Sequence, residues 1–218
     1  MPLWFSDQTR LLEWVISCAG LWCAESVLPL YVYDRRRLRR AVPNIALAVI
    51  LVLTNLALSF AAATVANFAI QKQIGLLFLL HPSPWLLPIL GVLALDLFAY
   101  FAHVLLHKSW LGWQFHRVHH SDKEVNVTTA FRQHPGETVW RILWQVLAIG
   151  IFGIPFSVVV VYLMISTLNA QLEHTNARLV EPLDQALRLV FVTPNMHKVH
   201  HSREQVETDT NYSNIFSI

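Results

Sequence analysis

The chain has 218 residues, of which 55% are hydrophobic and 14% charged, with a formal net charge of +2. That length suits one domain, but soluble domains carry about 25% charged residues, so composition and a mean hydropathy of +0.44 argue against a water-soluble fold. The basic residues form no long tracts mixed with aromatics, which argues against a nucleic-acid partner.

The N-terminal residues Met1 to Asp7 lack a basic region and a small-residue cleavage site, so no signal peptide is expected. A first apolar run covers Leu11 to Tyr33 and carries Glu13 and Glu25. Cys18 and Cys23 lie five apart on this helix, point to different faces and are expected to pack rather than pair. Asp34 opens a basic cluster, Arg35, Arg36, Arg37, Arg39 and Arg40. A second run goes from Pro43, suited to a first helical turn, to Ala69, and Gln71-Lys72-Gln73 ends it. A short apolar piece, Ile74 to Leu80, meets a turn at His81-Pro82-Ser83-Pro84. The third run covers Trp85 to Leu106. Each long run reaches the roughly 20 residues that cross a hydrocarbon core.

A fourth apolar stretch, Val139 to Ala170, is broken by Gly153-Ile154-Pro155 and predicts a helical hairpin. Residues 183–193 are apolar but too short to span and are expected at the interface. The expectation is one all-α integral membrane domain over residues 1–218, with four to five membrane helices: three spans plus the hairpin. The positive-inside rule places the arginine cluster in the cytoplasm. The turn at residues 81–84 then lies outside, and the histidine-rich region after the third span forms a cytoplasmic cap.

Eleven histidines are present. His103 and His107 form H-x-x-x-H. His116, His119 and His120 form H-x-x-H-H, as do His197, His200 and His201. His134 and His174 flank the hairpin, and His81 falls on the other side. Residues at i, i+3 and i+4 share a helix face, so each box can present its imidazoles together. Imidazole suits Fe, Zn, Cu and Ni. Ten imidazoles exceed the needs of one ion and match two. Asp96 and Tyr100 continue the face of His103 and His107. A carboxylate within a span needs a partner, so Asp96 is expected to hydrogen-bond a ligand imidazole. Trp110, Trp113 and Phe115 sit where an interfacial aromatic belt would be.

These residues resemble the fatty acid hydroxylase/sterol desaturase superfamily over roughly residues 90–216. The motifs are Asp96-x-x-x-Tyr100-x-x-His103-x-x-x-His107, His116-Arg117-Val118-His119-His120-Ser121, Asn126 to Arg132, and His134-Pro135-x-Glu137. Gln171 to Thr175, His197-Lys198-Val199-His200-His201 and Asp209-x-Asn211-Tyr212 complete the match. The first H-x-x-H-H and Asn126 to Ala130 resemble the alkylglycerol monooxygenase branch, and His134-Pro135-x-Glu137 resembles the sterol desaturase branch. Where family members continue with Gly, this chain has Ser213, and it ends at Ile218.

The resemblance implies a dioxygen-dependent di-iron enzyme that hydroxylates or desaturates a sterol, fatty acyl or alkylglycerol lipid. It implies two iron ions, with zinc as a substitute in purified protein. The metal set is then His103, His107, His116, His119, His120, His134, His174, His197, His200 and His201. Asp96, Tyr100, Glu137 and Asn211 would support those ligands. With no flavin, haem or nicotinamide motif visible, electrons would come from a separate b-type cytochrome or a ferredoxin with its reductase. Arg117, Lys123 and Arg132 would dock that carrier or contact lipid phosphates. The membrane would be the inner membrane of a bacterium or the endoplasmic reticulum of a eukaryote. Two other functions stay open at this point. One is a zinc-dependent membrane hydrolase with Glu137 or Glu173 as base. The other is a metal-ion transporter.

Overall fold

The computed structural model describes residues 7–33 and 36–217, with backbone alone for residues 7–11. Asp34, Arg35, the N-terminal hexapeptide and Ile218 lie outside the described residues. Among the described residues ten α-helices follow one another: α1 (Asp7–Val27), α2 (Arg37–Lys72), α3 (Leu76–Leu80), α4 (Leu86–Lys108), α5 (Trp110–His120), α6 (Pro135–Phe152), α7 (Phe156–His174), α8 (Glu181–Leu187), α9 (Pro194–His200) and α10 (Gln205–Thr208). A 3-10 turn, Val127–Phe131, lies between α5 and α6. Among the described residues there is no strand, only isolated bridges at Pro29–Ala177 and Phe191–Phe216.

Among the described residues three segments are long and apolar enough to cross a membrane: Arg37–Leu80, Leu86–Lys108 and Phe156–His174. The α2 segment is only 11% buried within the chain, and Leu53, Leu56 and Phe60 stand on its exposed side. Exposed apolar area costs roughly 25 cal/mol per Å² in water and nothing in hydrocarbon, so this surface fits a lipid environment. The chain is therefore described as a membrane protein.

The structure changes three expectations. The first run forms α1, but α1 is not among the helices apolar enough to span. Its Glu25 is buried and accepts from the backbone N–H groups of Val127 (2.6 Å) and Asn176 (2.8 Å), with Arg37 paired to the same carboxylate. A residue that seemed only to weaken a span instead ties α1 to the loops below the histidines. Pro43 lies inside α2 rather than in its first turn, because the helix starts at Arg37. Cys23 is exposed rather than packed, and both cysteines are free thiols.

The expected hairpin is present as α6 and α7. Gly153 caps α6 at φ +71°, a conformation that disfavours any Cβ. A Cβ there would also press on the Ile74 carbonyl and the Phe78 ring. The hairpin tip thus packs on α3, next to the turn that precedes α4. Helices α2, α3, α4, α6 and α7 meet in the core, where Ala66, Leu77, Leu95, Ile149 and Val159 are buried with Ile154 of the hairpin tip. α4 runs from that end towards its histidines, about 26 Å away at 1.5 Å per residue. His81 is exposed at the hairpin-tip end.

Candidate metal centre

α4 ends with His103 and His107 one turn apart, and Ser109 then restarts the chain as α5 by accepting from the Gly112 N–H (3.1 Å). A Cβ at Gly112 would meet the Leu106 Cα and the Leu105 carbonyl. Glycine therefore lets α5 cross close to α4 and bring His116 beneath His103. His174 is the last residue of α7. Thr193 caps α9, which carries His197 and His200, with His201 at its C-terminal end.

Two groups result. His103, His107, His116, His120 and His200 form one, and His119, His174, His197 and His201 form the other, with the ligand atoms in each group all within 4.8 Å of one another. In the first group the Nε2 atoms of His103 and His116 are 2.9 Å apart, those of His116 and His120 3.2 Å, and those of His103 and His200 3.2 Å. In the second, His174 Nε2 lies 3.0 Å from that of His119, 3.0 Å from that of His197 and 3.1 Å from that of His201.

Such spacing fits a metal coordination sphere. Two nitrogens each about 2.1 Å from one ion are about 3.0 Å apart at a right angle and about 3.4 Å apart at the tetrahedral angle. The outer nitrogens sharpen the test. The Nδ1–H groups of His103, His200, His119 and His174 face the carbonyls of Tyr212 (2.8 Å), Thr210 (2.7 Å), Arg132 (3.3 Å) and Ala170 (2.6 Å). A neutral imidazole that donates from Nδ1 has a bare lone pair on Nε2. Lone pairs opposed at 3 Å repel unless a cation sits between them. The residues present therefore fit bound metal ions, with the outer carbonyls fixing each tautomer.

Burial holds the imidazoles neutral. It pushes the His116, His119, His120, His197 and His201 rings well below the ordinary histidine range, and neighbouring histidines push the same way. Burial brings His200 down to about 4, against the hydrogen bond to Thr210. Neutral rings are the ligating form.

Of the ten expected ligands, nine fall into the two groups and His134 does not. Its Nδ1 accepts from the Gly136 N–H (3.0 Å) and caps α6, and its ring stacks on Phe115 at 4.9 Å. Asp96 does not reach an imidazole. Its carboxylate accepts from the backbone N–H groups of Ile215 (3.2 Å) and Phe216 (3.1 Å), and so pins the C-terminal segment under α4. Tyr100 meets Tyr212 edge-on at 6.4 Å and reaches the histidines only through that ring. Glu137 is fully buried, with Oε1 3.0 Å from His116 Nδ1 and 2.9 Å from Arg141 Nε. Asn211 sits at φ +53° and donates to the Met196 carbonyl (3.2 Å). It shapes the loop whose flanking carbonyls receive His103 and His200.

Two contributors lay within quoted motifs but were not assigned a role, Asp209 and Tyr212. Asp209 Oδ1 is 3.4 Å from His107 Nδ1 and also pairs with Lys108. The Tyr212 ring packs on His103, His107 and His200. Trp113 packs on His107 and His120 and walls the site. The Arg132 guanidinium donates to the Val118 carbonyl (2.9 Å), Ser121 Oγ (2.8 Å) and Asn44 Oδ1 (3.0 Å).

A cavity of about 280 Å³ opens beside the centre between α2, α4, α6 and α7. Leu51, Leu56, Leu95, Phe156 and Val159 line its apolar part, and Gln133, Thr138, Arg141 and Gln145 its polar part. Two lining residues are one step from the metal groups: Arg141 through Glu137, and Ala170 through its bond from His174.

Two histidine groups that fit metal ions thus lie beside a cavity in a helical membrane protein. Residues 88–218 match the Fatty acid hydroxylase family, and the chain belongs to it. It is 33% identical to alkylglycerol monooxygenase of Caenorhabditis elegans over 138 residues, 62% of this chain and 26% of that protein. It is 34% identical to alkylglycerol monooxygenase of Homo sapiens over 139 residues, 63% of this chain and 29% of that protein. It is 30% identical to ornithine lipid hydroxylase OlsE of Rhizobium tropici over 156 residues, 70% of this chain and 45% of that protein. The matched segments thus span between a quarter and a half of these relatives' length. No solved structure matches.

Proposed function

We propose that the chain is a di-iron, dioxygen-dependent hydroxylase or desaturase acting on an unactivated C–H bond of a membrane lipid. The observation that carries this is the pair of converging histidine groups, five and four, each with Nε2 atoms near 3 Å apart. Two bound irons would supply reductive activation of dioxygen and oxidation of the lipid. The electrons come from a separate b-type cytochrome or ferredoxin. The nine imidazoles hold the metals in neutral form. The Glu137 carboxylate, 3.0 Å from His116 Nδ1, sets a negative charge beside that ring. Trp113 and Tyr212 wall the first group, and the cavity takes the acyl chain while excluding water.

Relatives named for alkylglycerols and ornithine lipids support a polar-headed lipid as substrate. The arginines at the start of α2 support a cytoplasmic location for the histidine end. A zinc hydrolase keeps three protein ligands and an open position, which suits neither group. Transporters bind near the bilayer midplane, whereas these groups sit at one end of α4 and α7.

Iron-loaded protein given a reductant, membrane lipid extract and ¹⁸O₂ tests the proposal. The expected result is a lipid alcohol carrying ¹⁸O, or an alkene formed only when dioxygen is present. Oxygen incorporated from water instead, or turnover without dioxygen, would overturn it.

A further inference from the structure

Among the described residues that line the cavity, Arg141 is the one charged residue. Its Nε is held by Glu137 Oε1 at 2.9 Å, and the same oxygen lies 3.0 Å from His116 Nδ1. Glu137 is fully buried and the Arg141 side chain is 28% exposed. Arg141 thus borders the cavity as a cation with its Nε engaged by Glu137.

Two further donors lie on the same face of α6. Thr138 is three residues before Arg141 and Gln145 four after, the spacing of neighbours on a helix surface. Thr138 is 3% exposed. Its Oγ1 is buried without a hydrogen-bond partner, as is the Nε2 of Gln145. Both residues line the cavity. Buried donors without partners are rare, and two of them flanking a cation on one helix face call for a shared acceptor. Guanidinium binds carboxylate and phosphate oxygens in its planar fork.

We propose that Thr138, Arg141 and Gln145 form the subsite for an anionic oxygen group, carboxylate or phosphate, borne by the lipid substrate. The inference deepens the proposed lipid oxygenase activity and rests on it for the word substrate. It has a regiochemical consequence. Arg141 is linked to His116 by one side chain, so an anion at Arg141 places the carbons next to the head group, not the chain terminus, beside the metals.

The test is equilibrium binding to the full chain in nanodiscs of neutral lipid. The probes are two brominated lipids with one acyl chain, a carboxylate and its methyl ester, read by quenching of tryptophan fluorescence, since Trp14 lines the cavity. An anionic phosphodiester with the same chain forms a third arm. The wild-type chain should bind a charged probe at least about tenfold more tightly than the ester, and Arg141→Gln should bring that ratio close to one. Thr138→Val and Gln145→Leu leave the Glu137–Arg141 pair intact, and each should reduce the ratio by about threefold. They keep the idea testable if Arg141→Gln fails to fold. Equal binding of charged and neutral probes by the wild-type chain would overturn it. So would an unchanged ratio in all three variants. Displacement of the charged probes by millimolar acetate or inorganic phosphate alone would assign the site to a free anion and overturn the lipid assignment. Metal content measured on the same samples reports the oxygenase proposal separately, because an anion preference in a chain that binds no iron would leave this subsite standing and remove that activity.

Discussion

The two histidine groups are built differently. In the group of five, His103 with His107 and His116 with His120 are pairs at i and i+4, and His200 joins alone. In the group of four, His197 with His201 is the sole such pair, and His119 and His174 each come alone. Each H-x-x-H-H box is therefore divided. Its i and i+4 members go to one group and its i+3 member crosses to the other. Residues at i and i+4 stack along one face, whereas i+3 is rotated to its other edge. One box thus reaches both groups, which couples their assembly. The outer partners differ too. The group of five has the carboxylates of Glu137 and Asp209 close to ring nitrogens. The group of four relies on the carbonyls of Arg132 and Ala170, with Glu173 further off at 3.7 Å.

That asymmetry sets an order of effects. His174→Ala should do most harm, because it leaves three ligands and removes the ring central to the second group. One metal ion per chain should be lost, and activity should fall by about a hundredfold or more. His107→Ala leaves four ligands in the group of five. It should keep most of both ions in elemental analysis and lower activity by about tenfold. Equal metal loss in the two variants would erase the distinction between the groups. Glu137→Gln keeps all nine ligands but removes the carboxylate at His116. Metal titrations should show about tenfold weaker binding at one site and no change at the other. His134→Ala should lower stability by about 1 kcal/mol through the lost helix cap and leave metal content unaltered. Metal loss in that variant would return His134 to the ligand set.

Helical periodicity and apolar runs exposed the spans and the hairpin, because helix geometry is local. The three boxes were legible for the same reason, as i, i+3 and i+4 report a shared face directly. What could not be read was which face meets which partner. The division of His119 from His116 and His120 depends on how α5 crosses α4 and faces α7. His134 looked like a ligand by proximity to the boxes, but as the residue before Pro135 it takes the N-cap position, which consumes its Nδ1. Asp96 shared the histidine face in sequence, yet the C-terminal segment supplies two backbone donors nearer than any imidazole. Glu25 looked like a flaw in a span, since its partners Val127 and Asn176 lie more than a hundred residues away. Tyr212 and Asp209 gave no periodic signal, because their loop is shaped by Asn211 at positive φ rather than by a helix.

The central claim is that the two groups hold two irons. Elemental analysis of protein purified anaerobically under reducing conditions and reconstituted with ferrous iron tests it most directly. Two irons per chain are expected, falling to one in His174→Ala. One tightly held zinc and no iron after reconstitution, or a single iron spread over both groups, would contradict the account.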